Sequence, residues 1–266
     1  SSAASDVYKR QGFMRPMLDR QGMQDVGITP GECSNWYRFA EWGYADAIVD
    51  HPQALRNISL ITSHGFFGQN PGIWYGDWRS VGIDTLRERR PDLHAWVTST
   101  SWGKMDAAFV WEMHNNIYSA KVNAIIPWAV VQRSSKWVGG DPNPGTAIRV
   151  DDSGRFIVEK GYYFFKQVCR AGQPGMAVTR VRSNDAEVTL IGFARNETQH
   201  TDAFVVINIA QEPKDITIQV IGSGPRFRAY RTSETDRYVA LGKFELAGDT
   251  LNYQAPPMSV TTFYAE

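Results

Sequence analysis

The chain has 266 residues, enough to bury one large core or two modest ones. Its 28 acidic and 28 basic residues balance, so no basic field marks a nucleic-acid or anionic-membrane partner. No apolar run approaches the ~20 residues that span a bilayer, and the two cysteines, Cys33 and Cys169, offer neither a disulfide framework nor metal-ligand spacing.

The first segment, "SSAASDVYKRQ", resembles the translated read-through of a sequencing adapter, as found at the ends of assembled environmental sequences. Residues 1–12 are therefore set aside as a non-native tail; the alternative is a disordered natural tail. From Arg15 to about Trp128 helix and strand alternate. "MLDRQGM" reads as a helix end and "DVGITP" as a short strand. "WGYADAIVDHPQAL" has helical apolar spacing and leads into the strand "NISLITSHGFFG". "WRSVGIDTLRERRP" predicts a helix stopped by Pro91, followed by the strand "LHAWVTS". "DAAFVWEMHNNIYSAK" predicts an amphipathic helix capped by Asp106. "VNAIIPWAVVQ" reads as one continuous strand buried on both faces. Strand–helix units of this length imply a parallel sheet with right-handed crossovers.

Past the turn-rich "SSKWVGGDPNPG" the rhythm changes. "FIVEKGYYFFKQVCRAG" predicts one more helix, and from Gly175 short strands dominate, with period-two alternation at Ile216, Ile218 and Val220. The expected architecture is α/β followed by all-β: a partial barrel over 13–173 and a β-sandwich over 174–266. A (β/α)8 barrel needs about 250 residues, and four strands precede the sandwich, so the pattern matches half of such a barrel.

Taken in order, these segments resemble glycoside hydrolase family 30 and its relatives, in which a (β/α)8 TIM barrel is followed by a β-sandwich. "GITPGECSNW" looks like the fifth barrel strand and its loop, "LITSHGFFG" the sixth, and "HAWVTSTS" the seventh. "VNAIIPWAVVQ" resembles the eighth, "GYYFFKQVCRAGQPGMAVTRV" the passage into the sandwich, and "YQAPPMSVTTFYAE" its closing strand. The resemblance implies a retaining hydrolase of β-linked oligo- or polysaccharides, secreted or periplasmic and monomeric at full length, needing no cofactor and no metal. It also implies two glutamates ~5 Å apart. The acid/base would end the fourth strand, upstream of Met14. The nucleophile would end the seventh, where this chain has Ser99.

A serine hydroxyl is neutral and weakly nucleophilic without a partner base, so Ser99 is not expected to replace the carboxylate directly. Three readings stand. In the first, Ser99 leaves room for a water, as inverting hydrolysis needs at carboxyl separations of ~6.5–9.5 Å, and Glu32 is the base, ahead of Asp77. In the second, the protein binds glycan without cleaving it. In the third, the serine was introduced to trap a complex, against which the adapter-like start argues. Substrate-binding candidates are His64 and Trp128 at strand ends, Gln132 just beyond the last barrel strand, and the loop residues Trp36, Trp102 and Trp137, with Trp74 beside them. Each has a plainer reading: a surface carboxylate or helix cap for Glu32, a satisfied core histidine for His64, core packing for the tryptophans, and capping or a solvated face for Asp106 and Glu112.

Overall fold

A computed structural model of the chain describes residues 12–66, 81–100, 104–133 and 145–266. They divide into two compact units, Ser1–Ser101 with Asn115–Trp128, and Trp102–His114 with Ala129–Glu266.

The first unit opens with helix α1 over residues 12–20. The strand expected at "DVGITP" falls later, as β1 (Glu32–Cys33), because residues 26–31 carry no ladder of their own. Three short helices follow: α2 (Arg38–Glu41), then α3 (Tyr44–Val49) and α4 (Pro52–Asn57), these last two in place of the single helix expected over "WGYADAIVDHPQAL". Gly43, at φ +69°, turns the chain between the first two. Pro52 opens the third from its first turn, where a missing N–H costs nothing, and the His51 ring accepts the Ala54 N–H at 3.2 Å. Next come β2 (Leu60–Ser63), α5 (Val81–Arg89), β3 (His94–Thr100), α6 (Ala107–Ser119, of which Ala107–His114 belongs to the second unit) and β4 (Ala124–Pro127). Asp106 caps α6 as expected, its Oδ1 accepting the amides of Ala108 and Phe109 at 3.0 and 3.2 Å.

β1 to β4 lie side by side in chain order, all parallel, with Glu32 opposite Thr62, Leu60 opposite His94 and Trp96 opposite Ala124. Such a sheet, crossed over by helices, is the α/β pattern read from the sequence. Trp36, Phe39, Ile48, Ile61, Leu86 and Val97 are buried in this unit. β4 departs from expectation. Pro127, which cannot donate to a ladder, ends it, Ile126 is 46% exposed, and the chain turns at Trp128 before pairing elsewhere.

In the second unit β5 (Val131–Gln132), β6 (Ile148–Val150) and β7 (Phe156–Val158) form a small sheet not anticipated from the sequence. β7 takes the start of the segment expected to be wholly helical; α7 (Lys160–Ala171) begins only after Glu159, whose backbone is extended. The remaining strands are β8 (Ala177–Thr179), β9 (Val188–Ala194), β10 (Ala203–Asn208), β11 (Lys214–Gln219), β12 (Arg226–Thr232), β13 (Val239–Glu245), β14 (Thr250–Ala255) and β15 (Ser259–Ala265). Six of them pair in the order β13-β12-β15-β10-β9-β8, and β11 pairs with β14. Both sheets contribute to one core of Val206, Ile218, Phe227, Leu251, Tyr253 and Phe263, which makes this a sandwich. α7 is tied to the larger sheet by Gln167, fully buried, whose amide donates to Thr232 Oγ1 at 2.8 Å and accepts from Thr262 Oγ1 at 2.5 Å.

Candidate functional site

The C-terminal ends of β1 to β4 are where a parallel α/β sheet presents loops and chemistry. Glu32 stands in β1 and His64 follows β2 directly. Their side chains are each about one-third exposed, and His64 Nδ1 lies 3.6 Å from Glu32 Oε2. The same nitrogen is 2.8 Å from the carbonyl oxygen of Thr98 in β3. Three neighbouring strands thus meet at one imidazole.

Local hydrogen bonds hold that ring in place. The Cys33 carbonyl accepts both the His64 amide and the Ser63 hydroxyl at 2.9 Å, and Ser63 Oγ accepts the Gly65 amide at 3.1 Å. Gly65 turns the chain at φ +72°, and a Cβ there would sit 2.6 Å from Asn116 Oδ1. Asn116, fully buried on α6, donates to the Gly65 carbonyl at 3.1 Å and accepts the Trp36 indole N–H at 2.7 Å.

Ser99 lies at φ +52° inside an irregularity of β3, where the register to β4 shifts between Val97 and Thr100. A left-handed non-glycine residue costs roughly 1–2 kcal/mol. A bulge at a strand end re-aims the side chain it carries.

Among the other expected residues, Trp128 is half-buried directly after β4. Gln132 is 7% exposed within β5 of the second unit. Trp36 is corrected outright, because at 1% exposure with its indole N–H satisfied it is core and has no face free for a sugar. Trp74, Asp77, Trp102 and Trp137 lie outside the described residues. Asp106 is a cap, in line with its plainer reading.

Sequence reading missed Asn116, whose only signal was a polar residue on the apolar side of an amphipathic helix. It also missed Asn35, 7% exposed with no partner for Oδ1 among the described residues. Cys33 beside Glu32 is not a nucleophile, since burial pushes its thiol up to about 12. Among the described residues no three His, Cys, Asp or Glu side chains gather as a metal would require. Glu32 is the one acidic side chain at these four strand ends among the described residues. The cluster offers one carboxylate and one imidazole, able to accept hydrogen bonds and to exchange protons.

No protein-family model matches the chain, and no curated protein matches it by sequence. Solved structures do. A glycoside hydrolase family 30 endoxylanase from Clostridium papyrosolvens aligns at TM-score 0.72 and 16% identity, over 98% of this chain and 60% of its own. A family 30 subfamily 8 xylanase from Clostridium acetobutylicum aligns at 0.71 and 17%, over 96% and 60%. A conserved exported protein from Bacteroides fragilis aligns at 0.74 and 14%, over 98% and 60%. At such identities the likeness is one of fold, and the chain has the fold of family 30 glycoside hydrolases across 60% of the length of these relatives.

Proposed function

We propose that this chain is part of a glycoside hydrolase that acts on a β-linked glycan. Residues 13–173 would form the second half of a (β/α)8 barrel and 174–266 its β-sandwich. In support of the half-barrel, β1 and β4 each have one strand neighbour among the described residues, as in a sheet that further strands continue. The observation that carries the functional reading is the meeting of Glu32, His64 and the Thr98 carbonyl, next to Ser99, at the C-terminal ends of parallel strands, where TIM-barrel enzymes build their sites. Glu32 acts as the base, Ser99 occupies the place of the missing nucleophile and leaves room for water, and Trp128 floors a sugar subsite. The xylanases that share the fold make β-linked xylan the first substrate to try.

A second reading, glycan binding without cleavage, has its own support: Glu32 stands without a second carboxylate at these strand ends among the described residues. Reducing-sugar release and calorimetric binding on xylan, by the protein extended to full barrel length, separate the two. Hydrolysis predicts that Glu32→Gln costs ~10²-fold or more in turnover, the share of a general base, with binding kept. Binding by both forms with no release from either would leave the non-catalytic reading. The 266-residue chain alone is expected to show no turnover.

A further inference from the structure

His64 is held in one protonation pattern by a group that cannot donate. The Thr98 carbonyl, 2.8 Å from Nδ1, has only lone pairs to offer, so in the neutral ring the hydrogen must sit on Nδ1 and point at it. Nε2 is then the bare nitrogen, and it has no partner among the described residues although the side chain is one-third exposed. This is the reverse of the tautomer that a free histidine side chain favours. The groups facing the ring reinforce it. From β1, the Glu32 carboxylate lies 3.6 Å from Nδ1, on the side where a hydrogen is welcome. Cys33 next to it is a neutral thiol, from β3 comes the Thr98 carbonyl, and beyond β2 the Phe66 ring lies 5.7 Å away. Arg38, the cation nearest Cys33 in charge effect, is occupied by stacking on Trp42 and Tyr37.

We infer that His64 is a specificity-determining residue that presents a fixed hydrogen-bond acceptor, Nε2, and so demands a hydroxyl donor at one ring position of the bound glycan. The inference rests on the glycoside hydrolase reading for its ligand, and on backbone geometry alone for its direction. Glu32 is an acceptor as well, so this part of the site offers lone pairs and selects ligands by the O–H groups they bring. Replacing that one hydroxyl by fluorine keeps size and polarity but removes the donor. A site built around a buried-side acceptor rejects such an analogue, because its own lone pair goes unpaired.

Two measurements test this. The first needs no ligand: nitrogen-15 shifts and long-range ring couplings of the full chain, with His64 assigned by its loss in His64→Gln. Nδ1 is expected to be protonated and Nε2 bare; a proton on Nε2 in the neutral ring overturns the inference. The second uses monodeoxy and monofluoro xylo-oligosaccharides. At one ring position both analogues should bind ~10-fold more weakly than the parent sugar, and in His64→Ala that difference should vanish. A fluoro analogue that binds like the parent at every position overturns the inference. If no xylo-oligosaccharide binds at all, the xylan-directed reading falls, while the ring nitrogens still decide the tautomer.

Discussion

Replacing Trp36 by phenylalanine removes one buried N–H and part of a ring, and the consequences can be worked out from three residues. Trp36 is 1% exposed, and its N–H reaches Asn116 Oδ1 at 2.7 Å. Losing that donor breaks the Trp36–Asn116 hydrogen bond in the core, a loss of ~0.5–1.5 kcal/mol, with a further ~1 kcal/mol for lost volume. Asn116→Ala strands two groups, the indole N–H and the Gly65 carbonyl, and should cost ~2–5 kcal/mol on the same grounds. The pair is coupled, so the double variant should fall short of the sum by ~1 kcal/mol. Urea unfolding followed by circular dichroism reads these as midpoint decreases; a loss of 2 kcal/mol corresponds to ~1 M at a typical slope of ~2 kcal/mol/M. The opposite pattern sinks the reasoning: Trp36→Phe leaving stability within ~0.5 kcal/mol while glycan affinity collapses would return Trp36 to a sugar subsite.

Two other outcomes follow from single groups. Burial pushes the Cys33 thiol up to about 12, so at neutral pH alkylation at this residue should wait for unfolding and speed up with denaturant; labelling in plain buffer at the rate of a free thiol contradicts it. Asp151 closes the turn between β6 and β7, its Oδ1 accepting the Ser153 hydroxyl at 2.6 Å and the amides of Ser153 and Arg155 at 3.0 Å. The Ser153 hydroxyl and these amides hold its carboxyl down at about 2. A folded value below the ordinary one means the turn's contribution is complete above about pH 4 and is lost as the pH falls through about 2. Exchange of the Ser153 and Arg155 amides should therefore accelerate, beyond its intrinsic pH dependence, only below about pH 4; protection unchanged down to pH 2 contradicts the assignment.

What the sequence made legible was whatever depends on periodicity and local chemistry. β3, α6 with its Asp106 cap, and the long sandwich strands all announce themselves by alternation, helical spacing or a capping residue. Breaks were harder to see. Pro52 and Pro127 interrupt runs whose apolar spacing looked continuous, and in both cases backbone geometry overrode the pattern. β14, "TLNYQA", is hard to read in the sequence because its polar positions Asn252 and Gln254 dilute the alternation that Leu251 and Tyr253 carry inward. Glu32, His64 and Ser99 can be singled out from the sequence because strand ends are predictable places for function. Trp36 went astray because a turn-rich segment looked exposed, whereas its indole reaches a partner 80 residues away on α6. No local rule reveals such a bond, and Asn116 was invisible for the same reason.

Ser99 is where backbone and chemistry can be separated by experiment. Its φ of +52° imposes a strain that any side chain with a Cβ shares, so glutamate is no worse placed there than serine. Glycine alone relieves it. Ser99→Gly should therefore stabilise the protein by roughly 1 kcal/mol and leave the stereochemistry of any product unchanged. Ser99→Glu, made in the protein of full barrel length, should keep stability within ~1 kcal/mol of the parent but alter the chemistry, since it returns a carboxylate to the place a retaining nucleophile would occupy. The anomer released in the first minutes, followed by proton NMR, should change from inverted to retained. It should do so even when Glu32 is replaced by glutamine, because a covalent route through residue 99 no longer needs Glu32 to activate water in its first step. An unchanged product anomer from Ser99→Glu would mean that residue 99 does not face the reacting carbon. The left-handed backbone would then serve the bulge of β3 alone, and the carboxylate chemistry would have to be sought elsewhere along these strand ends.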